Sequence, residues 1–248
     1  MLTTGLVSIT FRQLTPAQIV QLVSQAKLDG IEWGGDVHVP HGDVAQARAV
    51  KQLTQDAGLQ VLAYGSYFRL REDEAFEPVL ATAIALRAPL IRVWAGNQAS
   101  SLVDEAAHER IATDSRRIAE MAGREGIRVA YEFHGNTLTD TLESTLHLLD
   151  AAPQMQTLWQ PPQGLTEDAQ LEGLRAVLPR LANVHVFQWH GPERTRMPLS
   201  AGDTAWRERL SMVAQDVRAH AALIEFVTGD DPAAFLKDAA TLQIWALV

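Results

Sequence analysis

A single closed (β/α)8 barrel over residues 1–248 is the fold class this sequence predicts. Three observations carry that prediction. Short apolar runs rich in β-branched and aromatic residues alternate with helix-like stretches from end to end, and no low-complexity tract or charge block marks a linker. Eight such units in 248 residues give about 31 residues each, the size of a compact barrel unit. The first run, GLVSITFRQLTP, lacks the glycine-rich phosphate turn that an open doubly wound sheet usually carries after its first strand.

The units follow in order. GLVSIT (5–10) reads as the first strand, and Pro16 behind Thr15 opens the first helix. DGIEWGG (29–35) precedes a helix starting near Asp43, and LQVLAYG (59–65) precedes one near 74–87. PLIRVWAG (89–96) leads into a long helix at about 103–124. RVAYEFHGN, QTLWQPPQG, NVHVFQWHG and ALIEFVTGD supply the last four strands, with helices expected near 139–151, 167–179, 204–219 and 231–242. Thr or Asp stands at several helix starts, and DAG and GREG stand where helices should stop.

Composition narrows the function. A net charge of −9 argues against an extended nucleic-acid surface, which needs concentrated Lys and Arg. With no cysteine there is no thiolate nucleophile and no zinc–thiolate centre, so any metal must be held by oxygen and imidazole nitrogen. No basic leader or long apolar segment is evident, so no membrane partner and a cytoplasmic location are expected. Self-association into a homo-oligomer stays open.

In a parallel barrel the carboxyl ends of the strands converge on one mouth. Glu132, Gln160, His185 and Glu225 stand at the ends of the last four runs, so groups far apart in sequence would meet there as ligands of one divalent ion. Oxygen ligation with one imidazole suits Mn²⁺, Mg²⁺, Co²⁺ or Zn²⁺. Glu132 shares a strand face with Ala130 and His134, and turning that face to the helix layer would bury an unpaired carboxylate at a cost of several kcal/mol. The same reasoning sends Glu225 to the mouth. Alone, either reads equally as a solvated rim residue; two at matching strand ends favour function. His185 by itself would be a hydrogen-bonded core histidine, and it gains weight as a ligand from the carboxylates on neighbouring strands. Gln160, fixed by Pro161 and Pro162, could ligate through its amide oxygen or hydrogen-bond substrate.

Aromatic residues form a second pattern. Trp33, Tyr64, Tyr67, Trp94, Phe133, Trp159, Trp189 and Phe226 fall at or just past strand ends. About half are expected to pack between barrel and helices, the rest to wall the mouth against the carbon face of a sugar. His38, with Glu32 and Asp36 nearby, would enter the site from the side. Arg12, Arg69, Arg194 and Arg196 sit in mouth-side loops. The expected substrate contacts are His38, Trp94, His134, Trp159, Trp189, His190 and Arg196, whereas His108, His147 and His220 read as surface residues of helices.

Over its whole length the chain resembles the sugar phosphate isomerase/epimerase superfamily, the xylose isomerase-like TIM barrels. DGIEWGGDVHVP, VAYEFHGNTLTDT, HVFQ and LIEF carry the resemblance. It implies a metal held by residues matching Glu132, His185 and Glu225. Gln160 departs from it, standing where the family usually has aspartate. It further implies a metal-dependent isomerase or epimerase that acts on a small sugar, polyol or sugar-derived acid through an enediolate, with Glu132 and Glu225 moving protons on opposite sides of the carbon. A dehydratase of the inosose or dehydroshikimate type could use the same site. A barrel that binds sugar without turnover is the non-enzymatic alternative.

Overall fold

The computed structural model describes residues 2–247. Eight parallel strands close on themselves: β1 (Thr3–Val7), β2 (Gly30–Gly34), β3 (Gln60–Gly65), β4 (Leu90–Val93), β5 (Arg128–Glu132), β6 (Gln156–Trp159), β7 (Leu181–Val186) and β10 (Ala221–Ile224). Each is followed by its helix: α1 (Pro16–Gln25), α2 (Val44–Asp56), α3 (Glu77–Leu86), α4 (Glu105–Arg124), α5 (Leu142–Ala151), α6 (Glu167–Val177), α7 (Asp203–Ala214) and α8 (Pro232–Trp245). Among the described residues, no helix is long and apolar enough to cross a membrane.

Local chemistry sets these boundaries. Thr15 and Gln18 form a reciprocal capping box at the start of α1, and Asp43, Asp104, Thr141, Thr166 and Asp231 cap α2, α4, α5, α6 and α8. Three expectations need correcting. The first strand ends at Val7, because Ser8–Phe11 coil into a buried 3-10 turn that packs Phe11 edge-on against Phe235. The seventh run breaks at Phe187: residues 188–190 (β8) leave the barrel and pair antiparallel with 195–197 (β9), a hairpin beside the mouth. The helix expected at 204–219 stops at Ala214.

The barrel interior is narrow. Ala63, Leu90, Ala130, Leu158 and Ala182 form one layer, and Val7, Ile9, Leu62, Ala221 and Leu223 another. Gly5 and Gly30 make that packing possible, since a Cβ on Gly5 would collide with Leu62 and Leu223. Large apolar residues fill the sheath between strands and helices instead. One irregularity bears on function. Leu181 pairs with Thr157 but Val184 with Trp159, so β7 carries an extra residue. Leu181, Val184 and Val186 belong to the outer sheath while Ala182 faces inward, and the bulge is what turns His185 inward too.

Candidate active site

Strand alternation delivers five ionisable side chains to the carboxyl end of the barrel. Above Gly30, Leu90 and Ala130 the next inward positions are Glu32, Arg92 and Glu132; the β7 bulge adds His185, and Glu225 follows β10. All five are buried.

Arg92 is the hub. Its Nε donates to Glu32 Oε1 at 2.7 Å and its Nη1 to Glu132 Oε2. Trp94 Nε1 donates to the same Glu132 oxygen. His185 Nε2 stands 3.1 Å from Glu32 Oε2, so Glu32 accepts the Nε2 proton and Nδ1 is left toward the mouth. That Nδ1 lies 3.4 Å from Glu225 Oε2 and 3.9 Å from Glu132 Oε1. Neither His185 Nδ1 nor Glu225 Oε2 has a hydrogen-bond partner, although both are buried.

Ligand atoms of Glu132, His185 and Glu225 all lie within 4.8 Å of one another. Two carboxylates and an imidazole nitrogen that converge without bonding each other fit a divalent cation. Burial opposes charge on His185, yet Glu32 and Glu225 together push it up to about 10. Burial likewise opposes the Glu32 carboxylate, but His185 and Arg92 outweigh it and hold it down at about 2. Burial raises Glu225 against the pull of His185. Arg92 stays charged despite its burial because Glu132 and Glu32 flank it.

Above this floor opens a cavity of about 620 Å³. Trp94 stacks on His134 with ring centres 4.2 Å apart and 27° between the planes, and Arg69 stacks on Trp94. Phe187, Trp189 and Phe226 make the opposite apolar wall. Arg12, Arg92 and Arg194 line the same space. Tyr67, Arg194 and Phe226, all lining it, adopt left-handed backbone with φ near 55–58°, strain that bulky residues accept where the surroundings fix the chain.

Other expected contacts are placed elsewhere. His38 is buried beneath the loop after β2, bonded to Ser8 Oγ and the Leu14 carbonyl, and does not line the mouth. Trp159 points into the sheath against Trp206 and Arg209, because its neighbour along the strand, Leu158, takes the inward position. Trp33 and Tyr64 also face the sheath. His190 is exposed in a neighbouring groove, and Arg196 joins β9 to Asp230 beside the mouth. Gln160 lines the cavity, its amide donating to the Phe133 carbonyl at 2.6 Å, which leaves Oε1 buried and unpartnered. His220 is buried, bonded to the Ala182 carbonyl.

Sequence reasoning missed Arg92 and gave Glu32 only a passing place. The available signal was inward alternation: a charged residue inside LIRV or GIEW cannot stay unpaired, so each called for the other. Gly65 is part of the same design, since a Cβ there would press on Arg92 Nη2 and lie 2.8 Å from Glu32 Oε1.

A family model described as xylose isomerase-like TIM barrel matches residues 20–243, and the chain belongs to that family. The 3-dehydroshikimate dehydratase of Bacillus anthracis is 27% identical over 158 residues, covering 58% of this chain and 56% of that protein. The crystal structure of the probable 3-DHS dehydratase from Bacillus anthracis superposes with a TM-score of 0.80 at 21% identity, covering 98% of each chain. That of D-psicose 3-epimerase gives 0.74 at 16% identity, covering 100% of this chain and 99% of the other. Likeness at these identities establishes the shared fold.

Proposed function

We propose that this chain is a metal-dependent enzyme that removes a proton beside the carbonyl of a small polyhydroxylated substrate, and that it is a dehydratase of a hydroxylated keto acid. The observation that carries this is the inequality of the two glutamates at the ligand cluster. Glu132 Oε2 is committed to Arg92 and Trp94, whereas Glu225 Oε2 has no hydrogen-bond partner, faces His185 Nδ1 at 3.4 Å, and belongs to a carboxyl raised by burial. One free carboxylate suits a one-base reaction better than the symmetric two-base exchange expected from the sequence.

Glu132, His185 and Glu225 would hold the cation, with Gln160 Oε1 available from the rim. A bound divalent ion supplies Lewis acidity toward the carbonyl oxygen. Glu225 takes the proton from the adjacent carbon, and the C–H electrons move toward the carbonyl. Their return forms a C=C bond and expels the β-hydroxyl, which leaves as water on taking a proton. His134, held against Trp94 in the mouth, is placed to supply it. Atoms balance without an oxidant. Arg194, with Arg12 beside it in its pair with Asp36, suits a substrate carboxylate, and the dehydratase relative at 27% identity supports an acid of this type.

Isomerisation or epimerisation of a sugar is the second reading. It shares the first step and is favoured by Glu132 and Glu225 both bordering one cluster. Incubating the metal-loaded chain with 3-dehydroshikimate and with a ketose panel in D2O separates the two. Water loss with a conjugated product is expected from the acid. Deuterium entry into a ketose without water loss would select the second reading, and no exchange or product with any of Mn²⁺, Mg²⁺, Co²⁺ or Zn²⁺ would sink both.

A further inference from the structure

We propose a second cation site, on the helical shell, formed by Glu105, His108 and His147 and suited to Zn²⁺ or another imidazole-seeking divalent ion. Glu105 and His108 lie one turn apart at the start of α4, and His147 lies in α5. One ligand atom from each falls within 4.8 Å of the other two. The histidine rings stack at 4.1 Å with 14° between their planes.

His108 was expected at the surface, but it is only 7% exposed, and its Nε2 is buried with no hydrogen-bond partner. The unpaired His108 Nε2 is a buried polar atom that a bound ion would satisfy. Both His108 and His147 line a cavity of about 310 Å³ together with Glu105 and Glu143. The positive end of α4 opposes a cation here, which gives the carboxylates their place in it. Two imidazoles and a carboxylate prefer Zn²⁺, Co²⁺ or Ni²⁺ over Mg²⁺ or Mn²⁺, in contrast to the oxygen-rich set in the mouth.

An ion held there would tie α4 to α5. Ser100 lines the outer cavity, and its N–H donates to Asp140 Oδ2 at 3.1 Å; Asp140 lines the mouth. The tie therefore steadies the two loops that wall the active site without touching substrate.

The test is equilibrium dialysis of the chelator-stripped full chain against Zn²⁺, with melting curves alongside, for wild type, His147→Ala and Glu225→Gln. His147 is exposed, so its variant should fold normally. Wild type is expected to bind one more Zn²⁺ per chain than His147→Ala, with a larger Zn²⁺-dependent rise in melting temperature than the variant shows. Glu225→Gln should keep this equivalent, because it alters only the mouth. If the mouth held no metal, wild type would bind one ion and His147→Ala none, which still upholds the outer site. Equal Zn²⁺ stoichiometry and equal melting shifts in wild type and His147→Ala would overturn it.

Discussion

Replacing Glu32 with Gln should change how the metal-free protein responds to alkali. Glu32 accepts from Arg92 Nε and from His185 Nε2 and is fully buried, so the substitution removes one of the two charges that raise His185. The rise of His185 from 6.5 to about 10 corresponds to ~5 kcal/mol at about 1.4 kcal/mol per pH unit. Its folded value lies above the unfolded one. That stability is therefore fully present below about pH 6.5 and is lost as pH climbs through about 10. Roughly half, ~2–3 kcal/mol, should vanish from the alkaline limb in Glu32→Gln, because Glu225 remains as the other charge. Glu32 itself is lowered from 4.5 to about 2, so wild type should also lose stability on acidification across that range, a limb absent in the variant. The His185–Glu32 attraction enters both shifts and counts once.

Urea midpoints measured in chelator from about pH 2 to about pH 11 read both limbs. The variant should be less stable overall, since Arg92 keeps only Glu132, and breaking a buried pair costs about 3–5 kcal/mol. Overall loss alone would say little. The informative quantity is the difference in slope, and parallel pH profiles for the two proteins would refute the proposed coupling between Glu32 and His185.

Three further outcomes are expected. Glu225→Gln should abolish turnover and deuterium exchange while leaving the fold intact, since it removes a buried carboxyl already raised by its surroundings; near wild-type rates would remove Glu225 as the base. Gly65→Ala should lower unfolding stability by about 1–3 kcal/mol by pressing on the Arg92–Glu32 pair, and an unchanged urea midpoint would show that the floor is looser than its contacts suggest. Gln160→Asp places a charge at the cavity but forfeits the bond to the Phe133 carbonyl; if the unpartnered Oε1 faces the cation, Mn²⁺ affinity should rise by about a kcal/mol or more in calorimetric titration, and unchanged affinity would assign Gln160 to the rim alone.

Much of this fold is legible in the sequence because each barrel unit announces itself locally. Thr15-Pro16 and the Asp and Thr caps mark helix starts, and the apolar runs mark strands wherever the register stays regular. What was not legible depends on register. GIEW and LIRV read as ordinary strands, yet inward alternation makes Glu32 and Arg92 the charged floor. His185 reaches that floor only through a bulge, which period-2 reading cannot supply. Aromatic residues misled for the same reason: Trp159 and Trp94 occupy similar positions near strand ends, but one faces the sheath and the other the mouth. His38 failed differently, since only the fold shows that Ser8 and Leu14 already satisfy both its nitrogens.

The floor's charge balance explains why these residues belong together. Glu32, Glu132 and Glu225 can carry three negative charges against one guanidinium, Arg92. In a low-dielectric interior that leaves up to two negative charges uncompensated. Without metal, protons answer this: His185 is pushed up to about 10 and Glu225 is raised. A divalent cation at Glu132, His185 and Glu225 would offset the same excess and displace those protons, freeing Nδ1 as a ligand and leaving Glu225 ionised beside the substrate. Arg92 then has two roles that a neutral residue could not combine. It keeps Glu32 ionised so that His185 presents the correct nitrogen, and it fixes Glu132 so that the free carboxylate is Glu225. Arg92→Met, which keeps an unbranched apolar stem but removes the guanidinium and its charge, should therefore lose metal affinity and activity together, whereas a purely structural role for Arg92 would leave Mn²⁺ binding unchanged in whatever fraction stays folded.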